Sequence, residues 1–362
     1  MKTNNVLKKS LLSSVLFIIL VVIVFYFIFR DLAFKDILVL FRQANKFYLL
    51  LGVLVMFSYN ILEALNLKII LTSLWDKPRF LDCYKYAIGS FFTASITPSS
   101  SGGDPMALYL MSKDKLSVSH SAITLLTKLL VYQMVIIILA TTSFIISFKQ
   151  IVALLGNMKF LVFLGLTLNI LVFTLYFLAI FFKQILIYLV EILCKLLNKL
   201  HYKKTDTLKE KINLQVEEYS RAANILKTNK QIFIKTILTT LIQVLLLFTI
   251  PYLVYLAFNL EGASLFKFIT TQAILYVSVS ALPFPGAVGI SEAVFMKLYK
   301  TLFNPAILGS AMFITRFINF YLFVIITGIL LAIFITHDNF KKTKWDLNVS
   351  FFYIIEKSYR KL

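Results

Sequence analysis

Leu282-Pro283-Phe284-Pro285-Gly286-Ala287-Val288-Gly289-Ile290-Ser291-Glu292 lies between two apolar runs in a chain whose other long segments read as membrane helices. Two prolines and two glycines within seven residues cannot continue a helix. Proline removes a backbone donor and clashes with the preceding turn, and glycine is conformationally loose. In hydrocarbon, such a broken backbone is tolerated only where protein buries it or where it lines a cavity. An earlier stretch, Thr97-Pro98-Ser99-Ser100-Ser101-Gly102-Gly103-Asp104-Pro105, has the same character. The two windows hold eight of the chain's eighteen Gly and Pro residues, and they mark the candidate site.

The composition fits a membrane setting. Hydrophobic residues make up 59% of the chain, charged residues 15%, and the mean hydropathy is +0.85. Several apolar runs exceed the ~18 residues that suggest a bilayer-spanning helix. The predicted fold is an all-α polytopic membrane protein with about six full spans and two broken re-entrant hairpins. The formal net charge is +20, but the basic residues cluster between apolar runs. There they set topology and meet an anionic membrane surface. No nucleic-acid partner is expected, since no recognition motif accompanies the charge. Cys83 and Cys194 lie far apart, and His120, His201 and His337 show no ligand spacing, so neither a metal nor a cofactor is expected.

Taken in order, residues 11–29 read as an uncleaved first span and 30–46 as an interfacial segment. A second span covers 47–74, where Asn60, Glu63 and Asn66 share one helical face. Glu63 is costly in a membrane unless it meets protein or water. It either locks helix packing as a neutral or paired carboxyl, or lies on a transport path. Residues 82–111 read as a re-entrant hairpin around the first window, followed by spans at 118–148 and 158–182. Residues 183–235 contain eleven Lys and Arg, the strongest cytoplasmic signal in the chain. Within them, Leu208, Ile212, Val216, Tyr219, Ala223 and Leu226 recur at steps of three and four. That spacing predicts an amphipathic helix lying on the membrane surface or against the bundle. A fifth span at 232–258 carries Pro251, a second hairpin covers 264–303, and a sixth span covers 306–335. The division is one membrane domain over 1–340 and a basic tail over 341–362. Both termini are expected on the cytoplasmic side of the cell (inner) membrane.

The two windows align by spacing. Pro98 stands four residues before Gly102, and Pro285 four before Gly289. An acid follows each glycine, Asp104 in the first half and Glu292 in the second. Each acid has a base 24 residues further on, Lys128 and Arg316, embedded in an apolar span. With the spans above, the hairpins open to opposite sides, the inverted repeat of many secondary transporters. Helix ends at such breaks expose N–H groups, which with Lys128 and Arg316 would attract a phosphate. The serines at 99, 100, 101 and 291 would add hydrogen bonds, with Gly103 and Gly286 at the breaks. The alternative is that each acid and base forms a buried pair holding the bundle together.

On these residues the chain resembles the flippase-like transmembrane domain of lysylphosphatidylglycerol synthases, the multiple peptide resistance factor family, in its stand-alone form. The resemblance covers about residues 10–335 and rests on the two windows and the bases at 128 and 316. It departs from the family where Thr127-Lys128-Leu129-Leu130-Val131-Tyr132 replaces an acid-rich Glu-Arg-x-x-Asp run. Lysine keeps the charge there without arginine's bidentate fork.

The resemblance implies movement between leaflets of an anionic, aminoacylated or polyprenyl-phosphate lipid, linked to envelope lipid composition and cationic peptide resistance. No GxxxxGK[ST] ATPase motif is present, so passive or ion-coupled movement is expected, with Glu63, Asp104 or Glu292 as proton carriers. The family's phosphatidylglycerol lysyltransferase activity resides in a soluble carboxy-terminal domain and is not expected of this polypeptide alone. Two alternatives stay open: a lipid-modifying transferase, and a membrane subunit that recruits a separate synthase through the basic loop. A homo-oligomer is compatible with each reading.

Overall fold

The computed structural model describes residues 44–74, 76–182, 205–280, 282 and 285–336. The expected first span, most of the interfacial segment, residues 183–204 of the basic loop and the tail lie outside the described residues. The described residues are helical with short connections, and no strand occurs among them. They divide into two compact units. Val324–Thr336 belongs to one and is helical, with the Thr336 hydroxyl donating to the Ala332 carbonyl at 2.9 Å. The other, Phe34–Phe323, holds both hairpins.

Five described helices are long and apolar enough to cross a membrane. They are α1 (Lys46–Ser73), α4 (Val118–Leu155), α5 (Lys159–Phe181), α7 (Lys230–Ala257) and the apolar helix that begins with α10 (Pro305–Arg316). At about 1.5 Å per residue each exceeds the roughly 30 Å hydrocarbon core. The hairpin arms are shorter. In the first, α2 (Phe80–Ile96) and α3 (Gly103–Lys113) have 17 and 11 residues; in the second, α8 (Leu265–Ser280) and α9 (Ile290–Leu298) have 16 and 9. None reaches the ~20 residues a span needs. Both hairpins fall where the Pro/Gly windows predict them.

Connectivity fixes their sidedness. The first hairpin joins the end of α1 to the start of α4, where His120 Nδ1 meets Asp76 Oδ2 at 2.9 Å. The second joins the end of α7 to the start of α10. The Asn45 amide donates to the Ala257 carbonyl at 2.7 Å, so α7 ends beside the start of α1, on the opposite side from the first hairpin. The hairpins therefore enter from opposite faces, as an inverted repeat requires.

Polar contacts hold the frame. Asn66 Nδ2 donates to Thr240 Oγ1 at 3.1 Å and Gln243 Oε1 at 3.3 Å, pinning α1 to α7. A Cβ at Gly165 would overlap the Val277 carbonyl, so the α5 and α8 backbones meet there. One turn later, Asn169 Nδ2 donates to Ser280 Oγ at 3.2 Å and Gln133 Nε2 donates to Asn169 Oδ1. These bonds seat the second hairpin against α4 and α5.

The amphipathic helix is α6 (Thr205–Thr228). Tyr219, Ala222, Ala223 and Leu226 are buried against Ile70, Leu130, Ile180 and Ile232. Lys227 Nζ donates to the Phe181 carbonyl at 3.1 Å, which satisfies a carbonyl at the end of α5. Of the two settings expected for this helix, the bundle takes the Tyr219–Leu226 part of its apolar stripe.

Candidate functional site

The two hairpin tips share one backbone design. Each is a single 3₁₀ turn opened by proline, Pro98–Ser100 in the first and Pro285–Ala287 in the second. The two residues after each proline are left-handed: Ser99 and Ser100 at φ 50° and 56°, Gly286 and Ala287 at φ 57° and 51°. Left-handed non-glycine residues are uncommon, and clusters of them mark functional strain. Pro98 thus occupies the place of Pro285, as the sequence spacing proposed. Gly102 and Gly289 are the N-cap residues of α3 and α9. The Gly102 amide donates to Thr97 Oγ1 at 2.9 Å, and the Gly289 amide to Glu292 Oε2 at 2.6 Å. Both breaks are capped by side chains of their own hairpin.

Each acid meets the base 24 residues beyond it, on different terms in the two halves. Arg316 Nε donates to Glu292 Oε1 at 2.9 Å, and its Nη2 donates to the Gly286 carbonyl at 2.8 Å. Ser291 Oγ donates to Glu292 Oε2 at 2.9 Å. The guanidinium lies over the Phe320 ring, 4.6 Å from its centroid. A Cβ on Gly286 would collide with that ring, so this glycine is demanded by space as well as by its φ. Arg316 also precedes a π-helical turn, Phe317–Tyr321, of a kind that recurs at functional sites.

In the first half Lys128 stands between two carboxylates. Its Nζ is 2.7 Å from Glu63 Oε1 and 3.4 Å from Asp104 Oδ1. Gln243 Nε2 donates to the other oxygen of Glu63 at 2.9 Å. The carboxylate partners of Lys128 thus come from α1 and α3. Glu63 is a paired carboxylate that also faces a cavity.

Two cavities adjoin the tips. The larger, about 260 Å³, is lined by Ser100 from the first tip and by Gly286, Ala287, Ser291 and Arg316 from the second half. Thr315 and Asn319 also line it, and Thr315 Oγ1 and Asn319 Oδ1 are buried without hydrogen-bond partners. The smaller, about 180 Å³, is lined by Asn60, Glu63, Asp104, Lys128 and Gly103, again with Ser100. Tyr59 and Tyr276 border both. Their hydroxyls meet that of Tyr132, at 3.5 and 2.8 Å, in a chain between the halves.

Pro98, Ser99, Ser100 and Ser101 all sit at the exposed tip, and of these Ser100 also lines both cavities. Residues that the spacing argument did not single out include the three tyrosines, Gln243, Thr315 and Asn319. Gln243 and Asn319 stand as polar residues inside apolar spans, a signal available in the sequence. The tyrosines carried none, because Tyr is common in such chains.

Short broken helices facing each other across a cavity with polar side chains in an apolar wall define an all-α, multi-pass membrane protein with a buried ionic centre in each half. The chain belongs to the family described as lysylphosphatidylglycerol synthase TM region, which it matches over residues 11–327. It is also similar to a UPF0104 membrane protein of Archaeoglobus fulgidus, with 26% identity over 288 residues, covering 77% of this chain and 84% of that one.

Proposed function

We propose that this protein moves the head group of an anionic, aminoacylated or polyprenyl-phosphate lipid between the leaflets of the cell membrane, with both termini cytoplasmic. The observation that carries the reading is the larger cavity. Both hairpin tips contribute to it, an arginine lines it, and two of its polar side chains have no protein partner. A phosphate would meet the fork of Arg316 and the hydroxyls of Ser100, Ser291 and Thr315, with acyl chains left in lipid. The Glu292–Arg316 pair keeps the arginine charge compensated when no head group is present, and a phosphate would compete with Glu292 for it. Family membership supports a lipid-related role.

The transferase alternative lacks comparable support. His120 is engaged by Asp76 and Glu218 and lines neither cavity, so no histidine among the described residues meets the site. The recruitment alternative would use the basic loop with α6, whose Tyr219–Leu226 part is already buried in the bundle.

Leaflet exchange of labelled phospholipids in proteoliposomes tests the proposal. Arg316→Ala and Glu292→Gln should each slow exchange by roughly tenfold or more, the effect of losing one charge-assisted bond. Equal exchange by wild type and both variants, all well folded, would refute a site at the second tip.

A further inference from the structure

The two ionic centres differ in their charge count. Arg316 and Glu292 balance one to one, whereas the smaller cavity sets two carboxylates, Glu63 and Asp104, against the single ammonium of Lys128. One negative charge is left over in a cavity where the Lys128, Glu63 and Asp104 side chains are 7%, 14% and 32% exposed. Leaving such a charge unmatched is costly unless a proton or a counter-ion meets it, and the geometry points to an ion.

The hydrogen bonds show where it would sit. Glu63 is fully engaged, with Lys128 on one oxygen and Gln243 on the other. Asp104 holds Lys128 through one oxygen at 3.4 Å. Asn60, 1% exposed, donates through Nδ2 to Met56 of its own helix at 2.9 Å, while its Oδ1 is buried without a partner. Asn60 and Asp104 line the same cavity, and Tyr59 adds a hydroxyl to its wall. A carboxylate, an amide oxygen and a hydroxyl are the hard oxygen donors that alkali and alkaline-earth cations select. The excess of one charge calls for a monovalent ion. A volume of about 180 Å³ leaves room for an ion with several waters, at about 30 Å³ each.

We propose that the smaller cavity binds one sodium ion through Asp104 and Asn60. We further propose that this ion is coupled to head-group movement in the adjoining cavity, a part that rests on the translocation reading above. Ser100, Tyr59 and Tyr276 border both cavities, so a change at either is felt at the other. The remaining ionisable groups that face the site are Lys128 and Tyr132 on α4 and Tyr276 on α8. Tyr176 on α5 is within electrostatic reach of Asp104.

The test uses the purified full chain in detergent, without added lipid. Its melting temperature is followed while sodium chloride replaces choline chloride at constant ionic strength, at several pH values. Wild type should gain a few degrees with sodium in a saturable way, as expected for a ligand of the native state. Asp104→Asn and Asn60→Leu should each lose the response, and Asn60→Leu, apolar and of similar volume, serves if Asp104→Asn fails to fold. No sodium response in wild type overturns the proposal, whether or not pH alone shifts melting. So does a response that persists in Asn60→Leu. Lipid exchange is measured separately after the same proteins are reconstituted into proteoliposomes. A sodium response with no exchange leaves the ion site standing and removes translocation, and exchange without a sodium response does the reverse.

Discussion

Replacing Gly286 by alanine tests how the second tip holds Arg316. Gly286 sits at φ 57°, a left-handed conformation that costs a residue with a Cβ roughly 1–2 kcal/mol. The added methyl would also collide with the ring of Phe320, which would have to move at a cost of about 1–3 kcal/mol. The sum is about 2–5 kcal/mol, or a fall of roughly 4–10 °C in melting temperature at about 2 °C per kcal/mol. The two parts separate in a double-mutant cycle with Phe320→Ala. Without the ring, Gly286→Ala should cost only the conformational part, about 1–2 kcal/mol. Melting of the four proteins by intrinsic fluorescence, at one heating rate, reads the cycle. The same cost for Gly286→Ala in both backgrounds would show that Phe320 does not cover the tip, and the packing argument would fail. Because the Gly286 carbonyl accepts from Arg316, lipid exchange should fall in Gly286→Ala and recover in part when the ring is removed.

Arg316→Lys keeps the charge but cannot hold Glu292 and the Gly286 carbonyl in one fork, so one charge-assisted bond worth about 1.5–3 kcal/mol is lost. Lipid exchange should slow by roughly 10- to 100-fold, and exchange at the wild-type rate would mean that charge alone suffices. Leu226→Ala removes a fully buried side chain from the contact of α6 with the bundle, a change that costs about 2–5 kcal/mol. Hydrogen exchange of residues 216–228 should rise well before that of α1 or α7, and a uniform rise across the chain would contradict docking of α6 as a separate layer.

The spans and hairpins were legible because hydrocarbon demands long apolar helices and forbids broken ones except at a protected place. Pro98, Pro285 and the glycines after them therefore announced the tips, and the spacing of 24 residues announced the Asp104–Lys128 and Glu292–Arg316 contacts. Glu63 was visible as an intramembrane acid, but its partner was not. A contact between residues 63 and 128 depends on how α1 and α4 pack, and no spacing rule reaches that far. The tip serines show a finer limit. Ser99, Ser100 and Ser101 are chemically equal in the sequence, and only the folded tip shows that Ser100 is the one that lines the cavities. The stripe of α6 fits lipid and protein equally well until Ile70, Leu130 and Ile180 are seen to meet its Tyr219–Leu226 part.

The two halves repeat a backbone and differ in a base, and that difference can be inverted. Lys128 reaches Glu63 at 2.7 Å and Asp104 at 3.4 Å, so its ammonium is held more closely by the first carboxylate than by the second. Arginine at this position would present a planar fork with several donors, and the cavity beside it has about 180 Å³ to receive the larger group. Lys128→Arg should therefore bond Asp104 as well as Glu63, a gain of about 1.5–3 kcal/mol for one charge-assisted bond and roughly 3–6 °C in melting temperature. The net charge of the cavity is unchanged, but Asp104 now has a strong partner and Asn60 loses its co-ligand. The sodium response should shrink or vanish while the second tip, untouched, keeps its arginine and its exposure to the larger cavity. If the variant instead melts higher and responds to sodium as wild type does, Asp104 is not the ligand, and the leftover charge of the first half must be balanced in another way.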